Sequence, residues 1–336
     1  MKQTIFIIMI LAALVLAGCS IQTSTNEIAG NGNEKITVVT TLFPLYEFAK
    51  EVGGENVDVT LLLPPGAEPH SFEPKPSDIK KIVNADAFIY VGEIMEPWAH
   101  DILEGSNNKD IQIIDASSFV TLLESNHEHH EEDEHEELGH IEDEHQETQE
   151  EHDDEHDHGT FDPHIWLDLE NDQKIVSEVA RVFGLIDNKN SQVYKSNAND
   201  YVEQLQALDQ IYQTELSSCK QDEFLVGGHN FFGYIEHRYG IEGISAIENL
   251  EPNTEPTPKR IKEITDVAKE HDIKYILTEV LVSKQMAEAI ATETGAQVLT
   301  FNPASNLPKT DFNRGVSFIS VMEDNLETLR TALECD

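Results

Sequence analysis

Three histidines of this chain stand in short segments stiffened by proline or freed by glycine. His164 sits in Asp162-Pro163-His164-Ile165-Trp166-Leu167-Asp168. Pro163 fixes its own φ and pushes Asp162 toward extended geometry, so the imidazole is presented from a rigid turn. His70 lies within the proline-rich stretch Pro64-Pro65-Gly66-Ala67-Glu68-Pro69-His70-Ser71-Phe72-Glu73-Pro74, and His229 lies in Gly227-Gly228-His229-Asn230-Phe231-Phe232-Gly233-Tyr234. Stiffly held neutral imidazoles are ligands for borderline divalent metals. Three of them, from separate segments and with one further position open or filled by oxygen, suit tetrahedral zinc. Each segment alone also fits a plainer role: a turn histidine beside a core tryptophan for His164, a structural proline loop around His70, a helix-cap histidine at 229.

A second histidine population precedes His164. From Asn126 to Gly159 the chain has nine histidines and seventeen acidic residues, with no Lys or Arg. Such a stretch buries too little apolar surface to offset ordering entropy and is expected to be disordered without metal. His127, His129, His130, His135, His152, His156 and His158 are read as auxiliary, weak metal ligands, since acidity alone does not call for so many imidazoles.

The elements around these histidines alternate. β-branched or apolar runs at Ile36–Thr41, Val57–Leu63, Ala87–Val91 and Ile111–Ile114 are separated by helical patterns at Pro44–Val52, Pro76–Asn84 and Trp98–Leu103. A second series has strands at Glu223–Val226, Ile241–Ser245, Tyr275–Leu277 and Gln297–Leu299, with helices Phe231–Tyr239, Thr257–His271, Ser283–Thr294 and Asn313–Leu333. The spacing predicts an α/β fold of two lobes, each a four-stranded, mostly parallel sheet with flanking helices. Ligands of such sheets bind beyond the carboxyl ends of the strands, where His70 and His229 fall. Between the series, Asn171–Phe183 reads as a helix ended by Gly184. From Asn188 to Ser218, Tyr194, Ala198, Tyr201, Leu205, Leu208 and Tyr212 recur at helical spacing, predicting one long rigid helix that joins the lobes and limits hinge motion.

The first residues carry Lys2, an apolar run from Ile5 to Leu16, and Leu16-Ala17-Gly18-Cys19. That run is too short to span a bilayer and has the length of a signal-peptide core, with a lipoprotein cleavage site before Cys19. The expected organisation is a signal peptide over 1–18, a flexible tether over 19–34 lipidated at Cys19, a metal-binding lobe over 35–170 that contains the 126–159 run, connecting helices over 171–220 and a second metal-binding lobe over 221–336. The protein is thus expected at the outer face of the cell membrane, or in a periplasm. There Cys219 and Cys335 are candidates for one disulfide, with two free thiols as the alternative. With 64 acidic against 22 basic residues the formal charge is −42, which argues against a nucleic-acid partner and suits a cationic one.

Taken together and in this order, Gly66-Ala67-Glu68-Pro69-His70, the Asp162–Asp168 segment, Gly228-His229-Asn230-Phe231-Phe232-Gly233-Tyr234 and the histidine-rich insertion resemble the zinc and manganese solute-binding lipoproteins of ABC importers, most closely the zinc-binding, ZnuA-like branch. The resemblance runs from about Ile36 to Leu333. It implies metal held in a cleft between two lobes, with ligand roles for His70, His164 and His229. Many members place an Asp after the last strand of the second lobe, where this chain has Asn302. The fourth position therefore falls to Asn302, Glu68 or water, and Glu279 is assigned to support the ligands rather than to bind.

The resemblance implies an extracytoplasmic receptor, expected to be a monomer, that captures Zn²⁺ and delivers it to the permease and ATPase of an ABC importer. The alternatives are a Mn²⁺ receptor and a metal-binding adhesin of the same fold. A zinc hydrolase using a metal-bound water ranks below these, because no His-Glu-x-x-His helix is present.

Overall fold

A computed structural model describes residues 35–124, 161–247 and 257–335. The expectations for the leader, the tether, Cys19 and the histidine-rich run lie outside these residues. The described strands form two four-stranded sheets, every pairing parallel. In the first, β1 (Ile36–Thr40), β2 (Val57–Leu61), β3 (Ala87–Tyr90) and β4 (Gln112–Asp115) lie in the order β2-β1-β3-β4. In the second, β5 (Glu223–His229), β6 (Glu242–Ile247), β7 (Tyr275–Glu279) and β8 (Gln297–Phe301) lie in the order β6-β5-β7-β8. The two orders are the same topology used twice. In each, strand order reverses beside the first strand, and the crevice opens beyond the carboxyl ends there.

Helices cross over between the strands: α1 (Phe43–Gly53), α2 (Pro76–Val83) and α3 (Trp98–Gly105) in the first half. Then come α4 (Leu169–Ile186) and α5 (Ser191–Leu216), and in the second half α6 (Gly233–Tyr239), α7 (Pro258–Glu270), α8 (Gln285–Thr294), α9 (Lys309–Arg314) and α10 (Phe318–Ala332). At 26 residues α5 is about 39 Å long. Its stripe of Tyr194, Ala198, Tyr201, Leu205, Leu208 and Tyr212 is buried. The helix reaches both halves: Asn197 Nδ2 donates to Val52 O at the end of α1 (2.9 Å), and Tyr212 Oη donates to Met322 O in α10 (2.5 Å). One apolar core runs from Ile36 to Leu333 through this helix. Leu205 is fully buried in it, and truncation to Ala there costs about 2–5 kcal/mol. Cys219, just after α5, is bonded to Cys335.

Three local expectations need correction. Gly184 does not end α4, which continues to Ile186; a Cβ at 184 would stand 3.3 Å from Ser191 Cβ, so glycine there admits the start of α5. The single helix expected over Asn313–Leu333 is two, because Gly315 takes a left-handed conformation (φ +72°) and Ser317 starts a new helix by accepting the N–H of Ser320. The strand expected to stop at Val226 runs to His229, with a register irregularity after Val226. Its glycines answer to crowding rather than to a turn. A Cβ at Gly227 would lie 2.6 Å from Ala287 Cα, and one at Gly228 2.3 Å from Glu279 Oε1.

Candidate metal centre

The carboxyl ends of both sheets deliver the three histidines to one cavity. His229 is the last residue of β5, His70 lies on the loop after β2, and His164 comes from the turn before α4. The remaining polar lining includes Glu68 and Glu279, and Val280, Leu281, Val282 and Pro303 supply apolar wall.

His164 is held by its own neighbour. Asp162 Oδ1 accepts from the backbone N–H of His164 at 2.9 Å and lies 2.7 Å from Nδ1. An ionised carboxylate can only accept, so Nδ1 carries the proton and Nε2 offers a lone pair to the cavity. His164 is buried, and so is Asp162, whose Oδ2 lies 2.5 Å from where a Cβ on Gly233 would sit. Glycine at the start of α6 is what lets this carboxylate fit.

His229 repeats the arrangement with a different partner. Its Nδ1 lies 2.8 Å from Glu279 Oε1, and its buried Nε2 has no hydrogen-bond partner. Buried polar nitrogens are rarely left so, and an unpaired lone pair is what a metal ligand requires.

His70 is positioned from its backbone. Glu68 uses both carboxylate oxygens on the turn, Oε1 accepting from His70 N at 2.9 Å and Oε2 from Ser71 N at 2.8 Å. Burial, and then the neighbouring His164 and His229, push the His70 imidazole down to about 2, so it is neutral at any physiological pH.

The three rings stand with centroids 5.3–5.4 Å apart, and one nitrogen from each lies within 4.8 Å of the others. His164 Nε2 is 3.3 Å from His70 Nε2. Two ligands at a zinc–nitrogen distance of about 2.05 Å in a tetrahedron are separated by about 3.3 Å, the same spacing.

Of the other sequence candidates, Glu279 lines the cavity beside His229 and Glu68 lines it with both oxygens engaged. Asn302 is not among the lining residues. Its Oδ1 accepts the N–H of Ala304 at 3.0 Å and its backbone is paired with the Asn325 side chain, which turns it into the loop after β8. Asp162 was missed by sequence reasoning, although its place two residues before a histidine is a legible signal. So was Arg238, which reaches Asp168 at 3.1 Å, Glu170 at 2.8 Å and Asp209 at 2.5 Å and thereby ties the His164 segment to α6, the helix that follows His229. That link has no local sequence signature.

Residues 38–332 match the family model described as ZnuA, zinc-uptake complex component A, periplasmic. The chain belongs to the ZnuA family. Relatives include a zinc-binding protein AdcA of Streptococcus pyogenes, 35% identical over 98% of this chain, and the high-affinity zinc uptake system protein ZnuA of Bacillus subtilis, 33% identical over 95% of this chain and 94% of its own length. This ZnuA-family chain spans only 61% of the length of the AdcA proteins it matches. The crystal structure of the Zn(II)-bound ZnuA-like domain of Streptococcus pneumoniae AdcA superposes with a TM-score of 0.72, at 31% identity over 89% of this chain and 99% of the domain. A laminin-binding protein of Streptococcus agalactiae, described as a bifunctional protein with adhesin and metal transporting activity, superposes with a TM-score of 0.73 at 27% identity, covering 89% of this chain and all of that one. The ZnuA-like resemblance and the two-sheet parallel α/β fold expected from the motifs therefore hold.

Proposed function

We propose that this ZnuA-family chain is an extracytoplasmic receptor that captures Zn²⁺ at His70, His164 and His229 and delivers it to the permease and ATPase of an ABC importer. The observation that carries the reading is the convergence of three imidazole nitrogens within 4.8 Å, one of them buried and without a partner. Three convergent imidazole nitrogens, two of them 3.3 Å apart, favour zinc over manganese, a harder ion that gains more from carboxylates. Glu279 is the best placed fourth ligand: it lines the cavity, and unlike Glu68 it is not closed onto backbone N–H groups. A rotation that gave an oxygen to the ion would leave His229 oriented by the other oxygen.

Residues 35–170 and 221–336 act in this reading as two metal-binding lobes joined by 171–220. The ligands come from both, so the ion is cargo enclosed between them rather than an exposed Lewis acid, which favours a transport receptor over an enzyme. Export, a lipid on Cys19 and a monomeric state complete the proposal. The laminin-binding neighbour makes adhesion a second role worth separate assay. The test is titration of the chelator-stripped protein with Zn²⁺ and Mn²⁺ in metal-buffered solution. One tight Zn²⁺ site, lost in His164→Ala, is expected. An unchanged tight site in that variant sinks the three-histidine reading.

A further inference from the structure

The loop that carries His70 packs through Ala67 and through Phe72, which meets Trp98 at a ring-centroid distance of 6.2 Å, but hydrogen bonds hold it to the rest of the molecule at few points. Among the described residues, the hydrogen bonds that tie residues 64–74 to other segments come from the side chain of Asn306, while His70 Nε2 only faces His164 Nε2 at 3.3 Å. Asn306 Nδ2 donates to Pro64 O at 2.9 Å and to Ala67 O at 2.8 Å. Those carbonyls are the first and last of one turn: Ala67 N donates back to Pro64 O at 2.9 Å, Pro65 takes the second position, and Gly66 (φ +90°) takes the third. This is the type II turn that a Pro-Gly pair favours, and the amide of Asn306 bridges its two ends.

The amide cannot easily turn away. Its Oδ1 accepts the N–H of Leu307 at 2.9 Å, which leaves Nδ2 facing the turn, and the residue is buried at 1% exposure. The segment that carries it is anchored twice just before it, because Pro303 O accepts from Trp166 Nε1 at 2.7 Å and Ser305 O from Phe43 N at 3.1 Å. Asn306 thus belongs to the segment after β8, in the second half of the chain, yet grips the loop of the first half three residues before His70.

We propose that Asn306 is a positioning residue that latches the His70 loop onto the second half of the molecule and so sets how long the metal is retained. Without it the Pro64–Ala67 turn loses its only side-chain hydrogen bonds from another segment among the described residues, and His70 is held by its backbone bond to Glu68 and by the Phe72 anchor on its far side, within a freer loop. Association needs an open loop and is little affected; release is accelerated. The inference rests on the three-histidine reading above.

The experiment uses the full chain and compares the parent with Asn306→Ala, Asn306→Asp, His70→Ala and His70→Ala/Asn306→Ala. Zn²⁺ release into excess chelator, Zn²⁺ association, melting of the stripped proteins and amide exchange over residues 64–74 are measured. Asn306→Ala is expected to speed release on the order of tenfold, with association changed by less than about twofold and faster exchange at Ala67, His70 and Ser71 even without metal. Asn306→Asp keeps the shape but has no N–H to donate and is expected to behave like Ala. In the His70→Ala background the change at 306 is expected to add nothing to release. Equal effects of Asn306→Ala in both backgrounds, parent-like release in Asn306→Asp, or a lowered melting temperature without faster release overturns the latch. Unchanged Zn²⁺ affinity in His70→Ala overturns the ligand assignment instead, so the two failures are distinguishable.

Discussion

The indole N–H of Trp166 donates to the carbonyl of Pro303 at 2.7 Å, across 137 positions of sequence. Trp166 is also in edge contact with His164, at a ring-centroid distance of 5.4 Å, and is buried at 1% exposure. Its environment is therefore set by the imidazole on one side and by the wall of the cavity on the other. Zn²⁺ bound at His164 is expected to change its emission, and Trp166→Phe to remove that change. A signal that survives undiminished in Trp166→Phe would belong to half-buried Trp98, which meets Phe72 on the His70 loop, and would show that Trp166 does not report the ion.

Asp162 orients His164 through one oxygen that serves both the backbone N–H and Nδ1. Asp162→Asn keeps an accepting oxygen but removes the charge that fixes the tautomer and raises ligand basicity. Zn²⁺ affinity, measured by competition with a chromophoric chelator, is expected to fall about 10–100-fold. The secondary structure in far-UV circular dichroism is expected to be unchanged.

Glu279 and Asn302 are expected to part company under substitution. Glu279→Gln loses both the charged partner of His229 and the carboxylate proposed as fourth ligand, so Zn²⁺ binding weakens strongly. Asn302→Asp adds a charge to a side chain that faces Ala304 rather than the cavity, and Zn²⁺ and Mn²⁺ affinities stay close to the parent values. Paired titrations decide it; a tighter Mn²⁺ site in Asn302→Asp would show that Asn302 reaches the ion.

Glu96 predicts a pH dependence of stability. It is fully enclosed beyond β3, with Oε2 accepting from Val91 N and Gly92 N at 3.1 Å each, and burial pushes its carboxyl from 4.5 up to about 7. The folded state then holds the proton more tightly than the unfolded chain. Its contribution is fully present below about pH 4.5 and is lost as pH rises toward 7, up to about 3 kcal/mol. Glu96→Gln stays neutral and keeps an accepting oxygen. Its melting temperature is expected to exceed the parent's at pH 8 and to match it near pH 4; equal values at both would refute the assignment.

The Cys219–Cys335 bond closes a loop of 116 positions around the second sheet. In the chain-entropy model a cross-link of that span is worth about 5 kcal/mol. Reduction, or Cys219→Ser/Cys335→Ser, is expected to lower the denaturant midpoint by an amount of that order. Zn²⁺ affinity is expected to be nearly unchanged, since the bond lies at the end of α5 away from the three histidines.

Much of this architecture is local chemistry and could be read from residue order. β-branched runs separated by helical periodicities make parallel crossover units almost unavoidable, and the stripe from Tyr194 to Tyr212 specifies a long buried helix. His70, His164 and His229 were legible because proline and glycine mark stiff or crowded backbone next to an imidazole. Two of the boundaries that went astray were set by packing; the third, at Gly315, was set by a left-handed glycine and the Ser317 cap. Gly184 and Gly227 resemble helix and strand breakers, but at 227 the Ala287 backbone comes too close for a Cβ and at 184 Ser191 leaves one only tight contact. What surrounds the histidines was decided only in three dimensions. Asp162 against Gly233, Glu279 against Gly228 and Asn306 across the Pro64–Ala67 turn join segments from tens to hundreds of residues apart, and no periodicity encodes a partner at that separation. The type of ligand is a property of single residues and their immediate neighbours. The spacing of the ligands, and which atoms hold them there, depends on how two sheets of the same topology are packed around one helix.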